Sequence, residues 1–173
     1  EFLWRVGEYW IDKGVDGFRV DASAVLIKDA LLRDNPPRPD ADGKMPPPQR
    51  FTPVFTDDRP ETMGCIELIR QVVDEYHGRL LCGEVQGKTD RIGHFYGSHG
   101  RARLHLPLNF ALLDAQWNAI SLQAAIDSYF NALPEGAWPV WVIGGHDKQR
   151  VASKIGQAQA RDEWDRLIGF VDW

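Results

Sequence analysis

Gly14-Val15-Asp16-Gly17-Phe18-Arg19-Val20-Asp21-Ala22 is the stretch whose reading decides the fold. Gly14 and Gly17 punctuate a short run that alternates apolar and charged residues. In a strand, Phe18 and Val20 face one side, and Arg19 and Asp21 the other. A buried strand with Arg and Asp on one face puts charges where desolvation is costly. Two explanations are open at this point. The two charges satisfy each other within the strand, or the guanidinium holds a carboxylate ionised at the mouth of a sheet.

On the N-terminal side, Phe2, Leu3, Val6, Trp10 and Ile11 recur at helical spacing, and Lys13-Gly14 is a stop signal. On the other side, residues 24–32 suit a short helix. Residues 34–60 then hold Pro36, Pro37, Pro39, Pro46, Pro47, Pro48 and Pro53, with Pro60 at the end. An irregular excursion of that length in a compact domain is usually functional. An amphipathic helix is predicted over 61–77, with Ile66, Ile69, Val72, Val73 and Tyr76 on its apolar face and Gly78 beyond it. Strands are predicted over 79–84, 104–110 and 138–143. Helical segments are predicted over 89–96, from a Ser121 cap to Leu133 before Pro134, and from Arg150 to about Gln159. Helices alternating with strands imply parallel strands joined by right-handed crossovers, an α/β class.

Three of the predicted strands end in an acid: Asp21, Glu84 and Asp147, at equal separations of about two βα units each. The C-terminal strand ends form the active face of parallel α/β folds. Arg19 precedes one acid by two residues and His146 directly precedes another. Acids converging on one cleft suit metal binding or glycosidic cleavage. A metal site calls for more His or closely spaced Asp ligands. Glycoside hydrolysis needs one ionised carboxylate and one protonated acid flanking the bond. Arg19 would hold Asp21 ionised, and a partly apolar surround would favour the protonated form of Glu84.

Composition narrows the classes further. The chain has 173 residues, 43% hydrophobic and 26% charged, enough for one sizeable domain. A net charge of −5 provides no basic footprint for nucleic acid. No apolar run approaches the roughly 20 residues of a membrane span. Cys65 and Cys82 sit among apolar residues and read as reduced thiols, which suits the cytoplasm. Seven Trp are many for this length, and aromatic platforms stack on sugar rings. Glu1-Phe2-Leu3 starts inside a helical pattern with neither Met nor cap, which reads as a fragment with no signal peptide to interpret.

Gly17-Phe18-Arg19-Val20-Asp21-Ala22, Gly83-Glu84-Val85 and Gly145-His146-Asp147 resemble the second, third and fourth signature regions of the α-amylase superfamily, glycoside hydrolase family thirteen. Stretches 31–37, 105–110 and 141–147 look most like its bacterial α-glucosidase and oligo-1,6-glucosidase branch. The resemblance covers residues 1 to about 161. It implies a (β/α)8 barrel and a retaining double displacement on small α-glucosides; no cofactor, metal, nucleic acid or membrane partner is expected. The oligomeric state stays open. Asp21 matches the nucleophile, Glu84 the general acid/base and Asp147 the acid that grips sugar hydroxyls. Arg19 matches the arginine that orients the nucleophile, and His146 a histidine bonded to a glucose hydroxyl. Ala22, directly after the nucleophile, resembles the residue that accompanies α-1,4 rather than α-1,6 preference; the smaller side chain leaves more room beside the bond, a modest discrimination.

Gly145 stands where the family usually has Asn, the first signature region would lie before residue 1, and stretch 162–166 is polar where the family has an apolar helix. A full barrel takes about 250 residues. The chain is therefore expected to hold roughly strands four to seven of eight, a half-barrel with two open edges that lacks full activity on its own. The expected function is an α-glucosidase acting on maltose and short malto-oligosaccharides. The rivals are a transglycosylase of the same fold, such as a trehalose synthase or sucrose-acting relative, and a non-catalytic transporter-associated relative.

Overall fold

Short parallel strands with helices packed behind them organise the chain. A computed structural model describes residues 2–87, 89–98, 100–148 and 150–156. The first half contains α1 (Phe2–Asp12), β1 (Gly17–Val20), α2 (Pro60–Asp74) and β2 (Leu80–Val85). The second contains α3 (Ile92–Tyr96), a small hairpin of β3 (Gly97–Ser98) and β4 (Arg101–Ala102), then β5 (Leu106–Asn109), α4 (Ala111–Asp114), α5 (Ala119–Ala132) and α6 (Val151–Ile155). The main sheet is β1-β2-β5, parallel throughout, with Gly17 opposite Leu80 and Glu84 opposite Leu108.

β2 is central, and the core grows from it. Leu81 and Val85 are buried with Ile66 and Val73 of α2, Ile92 and Phe95 of α3, Leu104, and Tyr129 of α5. Each such side chain stabilises the fold by about 1.5–3 kcal/mol relative to exposure. Two glycines let the layers close. A Cβ on Gly17 would lie 1.9 Å from the Leu80 carbonyl oxygen, and one on Gly83 would lie 2.5 Å from Ser23 Oγ.

Several elements differ from the sequence reading. The helix predicted over 24–32 is a single 3-10 turn, Ser23–Val25. The buried Asp29 carboxylate instead accepts the backbone N–H groups of Leu31 and Arg33 and the Arg33 guanidinium. Side-chain bonds of that kind compete with a helical ladder, and they hold the Asp29 carboxyl well below the usual carboxylate range, the Arg33 side-chain bond contributing most. The proline-rich excursion is tied to itself: Asn35 bonds Thr56 Oγ1 and the Phe55 N–H, and Pro37 bridges Phe51. Pro60 occupies the first turn of α2, where its missing N–H is harmless.

The strand predicted over 138–143 contracts to one bridge, Trp141 beside Asn109. Pro139 has no N–H to give a ladder, and the Val140 N–H goes to the Tyr129 hydroxyl. The cap of α5 is Asn118, accepting from the Ser121 N–H at 2.9 Å, in place of Ser121 itself. Among the described side chains of α1, Ile11 is the buried apolar one, whereas Phe2, Val6 and Trp10 are exposed. Gly7 brings α1 against Val72 of α2. The predicted extension of the last helix to Gln159, and the polar stretch 162–166, lie outside the described residues. Among those described, no helix is long and apolar enough to cross a membrane.

Candidate active site

The two strands that end in acids lie side by side, and one arginine joins them. Arg19 Nη1 donates to Asp21 Oδ1 at 2.6 Å, and its Nη2 donates to Glu84 Oε2 on the neighbouring strand. Gln86 Nε2 donates to the other Glu84 oxygen at 2.6 Å. Both Glu84 oxygens therefore have donors. The Glu84 side chain is only 8% exposed, so its partners offset a desolvation cost of several kcal/mol. The Asp21 side chain is 75% exposed. The Asp21 hydrogen bond chiefly, with Coulombic help from Asp21 and Glu84 against desolvation, raises the Arg19 pKa above its ordinary range. The apolar surround expected for Glu84 is replaced by this polar clamp.

The third acid arrives from the loop after Trp141. His146 Nε2 lies 3.2 Å from Asp147 Oδ2, and both side chains are largely exposed. They share with Arg19 and Glu84 the lining of a cleft of about 130 Å³, to which Gln86, Leu108, Phe110 and Lys148 also contribute. Arg19, Glu84, His146 and Asp147 thus share one cleft. Asp21 is joined to it through Arg19 and does not line it. The equal spacing of the acids conceals unequal steps. Asp21 to Glu84 is one βα unit stretched by the proline-rich excursion, because β1 and β2 are neighbours. Glu84 to Asp147 passes β5 before reaching the Trp141 bridge.

Gln86, Phe110 and Lys148 were absent from the sequence prediction. The signal for Gln86 was present: two residues after Glu84, it shares that residue's face of an extended chain. The tryptophan count pointed elsewhere. Among the described residues no Trp lines the cleft, and Trp141 packs edge-on against Tyr129 in the interior. Ala22 adopts a left-handed conformation, φ 44°, as the chain leaves β1. It lines an adjoining cavity of about 260 Å³ with Asp57, Asp58 and Arg91, and Gln86 borders both spaces. Two carboxylates, a guanidinium and an amide around a small cleft, with a third carboxylate joined to it through Arg19, can exchange protons with, and hydrogen-bond, a neutral polyhydroxylated ligand.

The family model described as alpha amylase, catalytic domain, matches residues 1–171, past the limit near residue 161 read from the sequence. A salivary alpha-glucosidase of Anopheles gambiae is 33% identical over 172 residues, covering 92% of this chain and 29% of that protein. Maltase A1 of Drosophila melanogaster is 34% identical over 168 residues, covering 88% and 29%. The crystal structure of an alpha-glucosyl transfer enzyme, XgtA, superposes with a TM-score of 0.75 at 31% identity, covering 91% of this chain and 30% of that one. The chain spans about three-tenths of the length of the relatives it matches. The parallel sheet with its flanking helices is accordingly part of a (β/α)8 architecture, and the chain belongs to the α-amylase catalytic-domain family.

Proposed function

We propose that the protein carrying this chain is a retaining α-glucosidase that cleaves terminal α-glucosidic bonds, α-1,4 by preference, in maltose and short malto-oligosaccharides. The observation that supports this most is Arg19 bridging Asp21 and Glu84 beside a cleft that His146 and Asp147 also line. In this reading Asp21, hydrogen-bonded by Arg19, attacks the anomeric carbon and displaces the leaving sugar. Glu84 gives its proton to the departing glycosidic oxygen, for which one of its two donors must yield its place. A covalent glucosyl-Asp21 results. Glu84 then takes a proton from water as that water attacks, releasing glucose with retained configuration. Asp147 and His146 hold sugar hydroxyls. Ala22 supports the α-1,4 preference through the space it leaves.

The chain supplies roughly strands four to seven of the barrel, with the excursion 34–60 as one of its loops. The free thiols of Cys65 and Cys82 suit a reducing, cytoplasmic setting. A second reading has one observation in its favour, the 31% identity to a glucosyl transfer enzyme. A sugar hydroxyl in place of water would intercept the same intermediate.

The test is turnover of maltose by the full-length protein and its Asp21→Asn variant. Glucose release that falls about a thousandfold or more in the variant supports the proposal. Undiminished release removes Asp21 as nucleophile. Oligosaccharide products in place of glucose favour transfer.

A further inference from the structure

The segment that delivers Asp147 has little sheet to hold it. Its ladder consists of the Trp141–Asn109 bridge and the Val142 N–H bonded to the Asn109 carbonyl at 3.2 Å. Two phenols take over. The Val140 N–H donates to the Tyr129 hydroxyl at 3.0 Å, and the Tyr96 hydroxyl donates to the Trp138 carbonyl at 2.7 Å. The hydroxyls are 3.0 Å apart. Each phenol has one proton. Tyr96 spends its proton on Trp138, so Tyr129 must donate to Tyr96. The bonds therefore run in one direction, from the Val140 N–H through Tyr129 and Tyr96 to the Trp138 carbonyl, and every group in the chain is satisfied.

Tyr129 is fully buried, and its ring meets Trp141 edge-on at 4.7 Å between centroids. The two tyrosines come from α3 and α5, so the segment is pinned from two separate helices. Burial and the Tyr129 bond both resist ionisation of Tyr96, which keeps its proton in place. The clamp ends at Trp141, and Val142, Gly144, Gly145, His146 and Asp147 form the cleft wall that follows.

We propose that Tyr96 and Tyr129 are positioning residues for the Asp147 wall, setting where Asp147 stands relative to Glu84. The proposal rests on the reading of Asp147 as a substrate-gripping acid. Misplacement of a reacting group by about 1 Å can cost up to about a hundredfold in rate. Loss of one clamp bond with the helices intact is expected to cost about tenfold.

The test is a double-mutant cycle in the full-length protein, with an aryl α-glucoside as substrate. Tyr96→Phe removes one oxygen, and Asp147→Asn removes the group it is proposed to position. If Tyr96 works through Asp147, Tyr96→Phe lowers kcat/KM about tenfold in the native background and less than about twofold on top of Asp147→Asn. Circular dichroism and the melting transition verify that the variants are folded; Tyr129→Phe reads the same cycle should Tyr96→Phe fail to fold. No effect of Tyr96→Phe, or an equal effect in both backgrounds with Asp147→Asn impaired, overturns the positioning role alone. Full activity of Asp147→Asn overturns the reading of the cleft, and the positioning role with it.

Discussion

Arg19 and Glu84 sit on neighbouring parallel strands and are joined by a hydrogen-bonded ion pair, while the same guanidinium holds Asp21. Arg19 is opposite Cys82, and Glu84 is two residues on, on the same face of β2. One planar, permanently charged fork holds two carboxylates in a fixed relative orientation, which a compact ammonium group on a flexible stem does not impose. The intrastrand pair suggested by residues 14–22 is thus real, but it is half of a link between two strand ends.

Arg19→Lys in the full-length protein should behave nearly as poorly as Arg19→Ala. Removing one fixed donor from a preorganised site typically costs about 10²–10³ in kcat. A loss of that order is expected for both variants, measured as kcat on maltose. Retention of more than about half the activity by Arg19→Lys would show that charge alone suffices.

Gly17 tests the sheet that brings Arg19 to Glu84. A methyl group there meets the Leu80 carbonyl oxygen at 1.9 Å, so β1 and β2 must part. Gly17→Ala should destabilise the protein by about 3 kcal/mol, read from urea unfolding, and should lower activity as well. A change below about 0.5 kcal/mol would mean the strands absorb the methyl group without separating.

His105 makes stability depend on pH. Its Nδ1 accepts the buried Leu81 N–H at 3.0 Å, so the ring must stay neutral to hold that bond. Burial chiefly, and the nearby Arg70 charge, lower its pKa, with Asp74 opposing at 3.9 Å from Nε2. The unfolded chain takes up the proton near pH 6.5, and the folded one resists it to lower pH. The contribution is therefore full above about pH 6.5 and declines as pH falls from there towards the folded value. His105→Asn, whose side-chain oxygen can still accept the Leu81 N–H, should lose less stability than the native protein between about pH 7.5 and pH 5.5. Equal losses in urea midpoint would remove His105 as the cause.

Why some of this was legible in the sequence and some was not is clearest at single residues. Asp21 and Glu84 could be placed at strand ends because short apolar runs stop abruptly at each; Asp147 comes from a loop beyond the Trp141 bridge, yet the structure brings it to one cleft with Glu84. The helix expected over 24–32 failed because propensity says nothing of Asp29, whose carboxylate collects the N–H groups a helix would need. The strand at 138–143 shrank because a tyrosine on a distant helix claims the Val140 N–H. Gln86 was overlooked although two-residue periodicity places it beside Glu84. For the helix and the strand the deciding contact is between a side chain and backbone, which hydrophobic periodicity does not register.

The most direct test of the proposed chemistry is to trap the covalent intermediate. The full-length protein would be incubated with 5-fluoro-α-glucosyl fluoride, whose electronegative ring substituent slows turnover of the glycosyl-enzyme, and then digested and mapped by mass spectrometry. A fluoroglucosyl adduct on the peptide containing Asp21, absent from Asp21→Asn, is the predicted result. An adduct on a different carboxylate, or turnover with inverted configuration and no adduct, would contradict Asp21 as the nucleophile.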